Sequence, residues 1–229
     1  MKEDFHKSDM VQFFDEMNIL KSEKQERLKT AETMYGLIGV FFKGVYRDIL
    51  DGRFLHEKFD NDYIDDLIAL YDEFLEIVAP ELLYESDMIQ KARQFAEQVH
   101  NTNKKVVIGQ KDIEFQNAVL FGIPIEETPE PVEERFLGYT DATRIGEDQS
   151  NFIHNYRHHM DMVKNGRLTH TWDTMKDEAV RPLHAMAQGQ TVPIDAPFII
   201  GGYKMMYPGD TLTDNPPGDL TICCRCVEI

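Results

Sequence analysis

Apolar residues recur at helical spacing through the first 165 positions and lose that rhythm afterwards. Met10, Phe13, Phe14, Met17 and Leu20 fall on one helical face within residues 9–20. A second helix is predicted over 23–50, with Thr30, Thr33, Leu37, Phe41 and Val45 as its stripe. Gly36, Gly39 and Gly44 weaken that helix but permit close packing. Asp51-Gly52 is a stop signal, and Asp60-Asn61 offers an N-cap for a helix over 63–78. Ile64, Leu67, Ile68, Tyr71 and Leu75 form its core face, and Pro80 ends it. Further helices are expected over 85–100, 112–121 and 139–163, the last ending at Asn165-Gly166. Val106–Ile108 fits a strand or a helix equally well.

Residues 126–135 are acidic and carry Pro129 and Pro131, which suits a stiff, exposed connection. Three regions follow: a helical docking or assembly region over 1–125, the connection over 126–135, and a module over 136–229. Beyond residue 166 prolines and glycines become frequent. The apolar runs shorten to Phe198–Ile200 and Leu220–Cys223, which read as strands. A short helix is expected over 174–188. The predicted fold class is α+β, a helical N-terminal region followed by a small β-rich C-terminal module.

The 229 residues suffice for one or two domains with a sizeable core. The formal charge of −17 disfavours autonomous binding to nucleic acid or to anionic membranes, and no cluster of Lys and Arg offsets it. An acidic protein can still sit beside DNA inside a larger assembly. The N-terminus shows no apolar signal-peptide region, and the most apolar stretch, residues 37–42, is too short to span a membrane. The expected location is a cytoplasm. Three cysteines, all near the C-terminus, do not make a secreted disulfide framework.

Those cysteines carry the first candidate chemistry. If Cys224-Arg225-Cys226 lies on a strand, Cys224 and Cys226 face the same way and Cys223 the other. Such a pair is poorly placed to bond to itself but well placed for one soft metal. His184 is the candidate third ligand and Asp177 or His170 the fourth, with zinc the natural ion. Reduced core cysteines beside a hydrogen-bonded histidine, or a disulfide, remain open. Asp177, Arg181 and His184 are spaced for one helical face. That spacing allows a structural Asp–Arg pair with a nearby His, or His184 as a general base oriented by Asp177. Trp172, the single tryptophan, is a core anchor or a stacking surface. Tyr207-Pro208-Gly209-Asp210 reads as a tight turn. His154 and His158 form either a two-histidine metal pair or packed and solvated side chains.

Taken in order, Trp172-Asp173-Thr174, Asp177, Val180-Arg181-Pro182, His184, Gly189-Gln190-Thr191-Val192-Pro193, Tyr207-Pro208-Gly209-Asp210 and Cys224-Arg225-Cys226 resemble the phage Mu F-like head morphogenesis family. The resemblance spans roughly residues 135–229. Two departures stand out. Arg144-Ile145-Gly146-Glu147-Asp148-Gln149 replaces an Ile-Ala-Arg-Thr-Glu-like segment, and Cys223 replaces the usual Asn before Cys-Arg-Cys. The resemblance implies a minor capsid protein of a tailed phage or prophage. It would act at or near the portal in head assembly, with portal or capsid proteins as partners, first in the host cytoplasm and then in the virion head. It implies no catalysis. The structural motif would comprise Trp172, Asp177, Arg181, His184, Pro208, Gly209 and Arg225. Two alternatives stand beside it: a metal-dependent hydrolase or nuclease using Asp177, His184 and Cys224/Cys226, and an acidic adaptor for a basic partner.

Overall fold

The computed structural model describes residues 10–17, 19–50, 58–102 and 139–229. The expectations for 51–52, 106–108, 112–121 and the connection over 126–135 lie outside those residues. The architecture is α+β, with long helices followed by small antiparallel sheets in the C-terminal region. The helices are α1 (10–15), α2 (Lys21–Leu50), α3 (Lys58–Val78), α4 (86–102) and α5 (Tyr139–Lys164). No helix among the described residues is long and apolar enough to cross a membrane.

Two compact units emerge: Met1–Gly36 with Ala142–Ile229, and Leu37–Asp141. The first is discontinuous in sequence because apolar residues from both ends of the chain share one core. Met10, Phe14, Met17 and Ala31 are buried together with Val227. Within the second unit, α3 buries Tyr63, Leu67, Leu70, Tyr71, Phe74 and Leu75, and α4 buries Met88, Ala92, Phe95, Ala96 and Val99. The rings of Tyr71 and Phe95 meet at 5.1 Å. Pro80 lacks the amide that would continue α3, and a single 3-10 turn, Pro80–Leu82, follows it.

Of the stripe expected on α2, Thr30 and Val45 are buried as expected, but the apolar face is rotated away from the other three. Ala31, Met34, Ile38, Phe42 and Val45 are the buried set, at spacings of three and four, whereas Thr33, Leu37 and Phe41 are only partly buried. Leu20, expected on the first apolar face, is 75 % exposed because the chain has left α1 before it. Nor do Gly36, Gly39 and Gly44 mark close packing: a Cβ at any of them would meet nothing within 4 Å. The close approach is at Gly146 on α5, where a Cβ would lie 2.6 Å from the Ala31 carbonyl oxygen.

Helix α5 ends as its sequence indicates. Gly166 adopts φ 70°, its amide donates to the Val163 carbonyl, and the Arg167 amide donates to Met162. This paired closure is the Schellman arrangement that glycine favours.

The C-terminal strands are β1 (Thr169–Asp173), β2 (Thr191–Pro193), β3 (Phe198–Ile200), β4 (Tyr203–Met205) and β5 (Val227–Glu228). They form a sheet in the order β2-β1-β5 and a β3-β4 hairpin. All pairings are antiparallel, with His170 opposite Val192 and Trp172 opposite Glu228. Trp172, Ala187, Phe198, Ile200, Met205, Leu220, Cys224 and Cys226 make one small core.

Two sequence expectations fail here. The helix placed over 174–188 shrinks to α6 (Pro182–Ala187). A proline ring disfavours helical backbone in the residue before it, and Arg181 is extended at φ −61°, ψ 145°. Asp177 and His184 therefore share no helical face. The strand placed over 220–223 is instead the short helix α7 (Gly218–Thr221). Pro217 supplies its N-cap and Asp219 lies in the first turn, where a negative charge is favoured.

Candidate metal centre

Cys224, Cys226 and His184 converge. His184 Nδ1 lies 3.7 Å from Cys224 Sγ and 3.4 Å from Cys226 Sγ, and all three residues are buried. The cysteines sit in irregular backbone just before β5, not on a strand as the sequence suggested, yet both side chains turn to the same histidine. Zinc–sulfur and zinc–nitrogen bonds of about 2.3 and 2.0–2.1 Å at a tetrahedral angle place S and N roughly 3.6 Å apart. The observed pair of distances brackets that value. The cysteines are free thiols, so the disulfide alternative is not realised.

The two thiols are electrostatically unequal. A hydrogen bond from Cys226, reinforced by His184 against the cost of burial, favours the Cys224 thiolate. The same contact, together with burial and the Cys224 charge, holds Cys226 protonated. One negative charge is readily held in this pocket and two are not, unless a cation joins them. His184 Nε2 is buried without a hydrogen-bond partner. The Trp172 ring stands edge-on to His184 at 5.6 Å. Trp172 is thus a core anchor that walls the site. On the other side, an open depression bounded by Met175, Val180, Arg181 and Cys223 reaches His184, Cys224 and Cys226.

Neither proposed fourth ligand joins the cluster. Asp177 accepts from Arg225 Nη2 at 3.0 Å and from the Ala179 amide at 3.1 Å. His170 turns to Glu228. The expected Asp177–Arg181 pair is also absent, since the Arg181 guanidinium donates to the Ile222 carbonyl. Extended backbone at Arg181 sends its side chain toward the segment that carries the cysteines, away from Asp177. Arg225 also binds Glu16 at 2.6 Å, tying the Cys-Arg-Cys segment to the N-terminal residues of the same unit.

The remaining motif residues are structural supports. The Thr174 hydroxyl and amide both donate to Gln188 Oε1, at 2.6 and 2.7 Å, while Gln188 Nε2 donates to Asp173 at 2.9 Å. Tyr207–Asp210 is a turn closed by an amide-to-carbonyl bond of 3.1 Å. Pro208 occupies its second position, and Gly209, at φ 85°, its third. Asp210, fully buried, accepts from the amides of Met206, Leu212 and Thr213 and from the Thr213 hydroxyl.

Sequence reasoning missed the polar ladder on α5. Asn151 Nδ2 donates to the Cys224 carbonyl at 2.7 Å. Asn155 Nδ2 donates to the carbonyls of Pro208 and Cys226, at 2.9 and 3.3 Å. Both asparagines accept from the buried Arg27 guanidinium, at 2.6 and 3.1 Å, and Arg27 also pairs with Glu23. Asn151, Asn155 and His159 lie four apart on a helix with apolar neighbours, which is a legible signal of buried polar work.

The histidine pair considered on α5 does not form. His158 is exposed, whereas His154 lies 3.3 Å from the Thr30 hydroxyl. Burial, with the nearby charges of Arg27 and Arg157, pushes the His154 pKa down to about 3. The buried histidine is His159. Its Nδ1 and that of His170 both contact Glu228 Oε2, at 3.2 and 2.9 Å.

Comparison with protein-family models, with curated proteins and with solved structures gives no match to this chain.

Proposed function

We propose that this chain is a minor capsid, or head morphogenesis, protein of a tailed phage or prophage. It acts without catalysis, at or near the portal, during head assembly and onward to DNA delivery. One observation carries the reading. The rare residues that resemble the Mu F-like pattern are joined in space, although they spread over more than fifty positions. Trp172, Cys224 and Cys226 share one core with His184 packed against them, Asp177 holds Arg225, Arg181 holds Ile222, and the Pro208-Gly209 turn hangs on Asn155. A sequence pattern whose members meet this way has a common structural reason.

Zinc held by His184, Cys224 and Cys226 would serve as a staple. The module's own core is small, and small cores commonly need a metal or a cross-link. The partners are portal or capsid proteins. The net charge of −17 suits a protein that lies near packaged DNA without binding it alone. The hydrolase alternative lacks a base–orienter pair, because Asp177 is engaged by Arg225 and does not reach His184.

The test is direct binding of the purified chain to the portal protein encoded by the same phage or prophage, followed by sedimentation. A defined complex that survives moderate salt is expected. No binding to the portal or to the major capsid protein would overturn the proposal.

A further inference from the structure

We propose a second metal site, independent of the cysteines, in which His159, His170 and Glu228 hold one divalent first-row transition cation. The three ligand atoms lie within 4.8 Å of one another, and all three residues are buried. They come from three elements: His159 from α5, His170 from β1 and Glu228 from β5.

Two features suit this cluster to a metal. First, His170 Nε2 lies 3.0 Å from the Ala196 carbonyl oxygen. A carbonyl only accepts, so Nε2 carries a proton, and in the neutral ring Nδ1 is left as a lone pair. Nδ1 lies 2.9 Å from Glu228 Oε2, so the contact holds either a proton on Nδ1, as in an imidazolium–carboxylate pair, or a metal ion in that proton's place. A metal ion replacing that proton would sit off the N–O line, bound to both atoms. A metal-bound histidine typically has its other nitrogen fixed by a carbonyl or carboxylate in this way. Second, both imidazoles converge on Oε2 while Oε1 of the same carboxylate is buried with no partner. A network built from hydrogen bonds alone would spread two donors over two oxygens.

The spacing fits. Metal–nitrogen and metal–oxygen bonds of about 2.0–2.2 Å put N and O roughly 2.9 Å apart at a right angle and 3.4 Å apart at a tetrahedral one. The observed 2.9 and 3.2 Å fall in that interval. Two imidazoles and a carboxylate suit zinc, iron(II), cobalt(II) or nickel(II) more than calcium or magnesium. With every ligand buried, the ion would be structural. It would clip α5 to the β1–β5 pair at residue 228, as the thiolate site clips α6 to residues 224 and 226.

The experiment is a cobalt(II) titration of the full chain, stripped of metal and reduced, followed by absorption spectroscopy and by metal analysis after desalting. Wild-type protein is expected to bind two equivalents. One gives the intense sulfur-to-cobalt charge-transfer band, and the other gives only weak ligand-field bands. His159→Gln should lose the second equivalent, with affinity down at least tenfold, and keep the charge-transfer band. Glu228→Gln should behave alike. Retention of that band shows that each variant has folded around its cysteines. A single equivalent carrying the charge-transfer band in wild type, unchanged in His159→Gln, would overturn the second site. A single equivalent without that band, lost in His159→Gln, would uphold it and remove the thiolate site instead.

Discussion

Replacing Asn155 by Ala should be among the most damaging single changes in the unit that holds the His184–Cys224–Cys226 cluster. Asn155 is 1 % exposed and makes three hydrogen bonds: to Arg27 at 3.1 Å, to the Pro208 carbonyl at 2.9 Å and to the Cys226 carbonyl at 3.3 Å. The substitution removes all three at once and leaves the Pro208 and Cys226 carbonyls buried without this donor. Each neutral bond contributes about 1 kcal/mol and the bond to a guanidinium roughly 1.5–3 kcal/mol. Arg27 keeps Glu23 and Asn151 as partners, which limits the loss on that side. The expected destabilisation is about 3–4 kcal/mol. With a urea dependence of roughly 2–3 kcal/mol per molar, the midpoint should fall by about 1–2 M. Emission from Trp172, the single tryptophan, reports this unit alone. Met160→Ala on the exposed face of the same helix is the control, expected within about 0.5 kcal/mol of wild type. A loss below about 1 kcal/mol for Asn155→Ala, with an unchanged slope, would refute the claim that this ladder holds the Cys-Arg-Cys segment in place.

Other outcomes follow from the same geometry. His154 has its pKa depressed to about 3, so the unfolded chain binds a proton there before the folded chain does. Its contribution is intact above about pH 6.5 and is lost on acidification at up to roughly 1.4 kcal/mol per pH unit. Comparing urea midpoints of wild type and His154→Gln from pH 7 to 4 should show the variant less acid-sensitive, and parallel profiles would contradict this. Cys223 adopts φ 53°, a conformation that Asn tolerates better, and its amide bond to Asp148 needs no side chain. Cys223→Asn should therefore raise stability by about 0.5–1 kcal/mol in thermal unfolding. Gly146→Ala, which drives a methyl group to 2.6 Å from the Ala31 carbonyl, should cost about 1–3 kcal/mol in the same assay. Cys226→Ser should lower the zinc retained by the purified chain by about one equivalent.

The division between helical and β-rich regions was legible because periodicity and Pro/Gly content change sharply near residue 166. So was the Cys224–Cys226–His184 grouping, since two closely spaced cysteines are the chain's strongest soft-metal signal and His184 lies in the same C-terminal region. The errors have specific physical origins. Asp177, Arg181 and His184 suited a helix by spacing, but Pro182 forces its predecessor out of helical backbone and separates them. Leu220–Cys223 looked like a strand because it is apolar, while the two prolines before it set up a helix start. The union of residues 10–36 with the C-terminal module is a long-range packing choice, and an isolated stripe of apolar residues does not reveal its partner. The His159–His170–Glu228 cluster was hidden for the same reason, since its members lie up to 69 positions apart.

Quantitative mass spectrometry of density-purified particles from an induced culture of the source strain tests the proposed role most directly. A minor head protein is expected at a few copies per particle, in procapsids as well as in mature heads. Its absence from both fractions would contradict a structural role in the head.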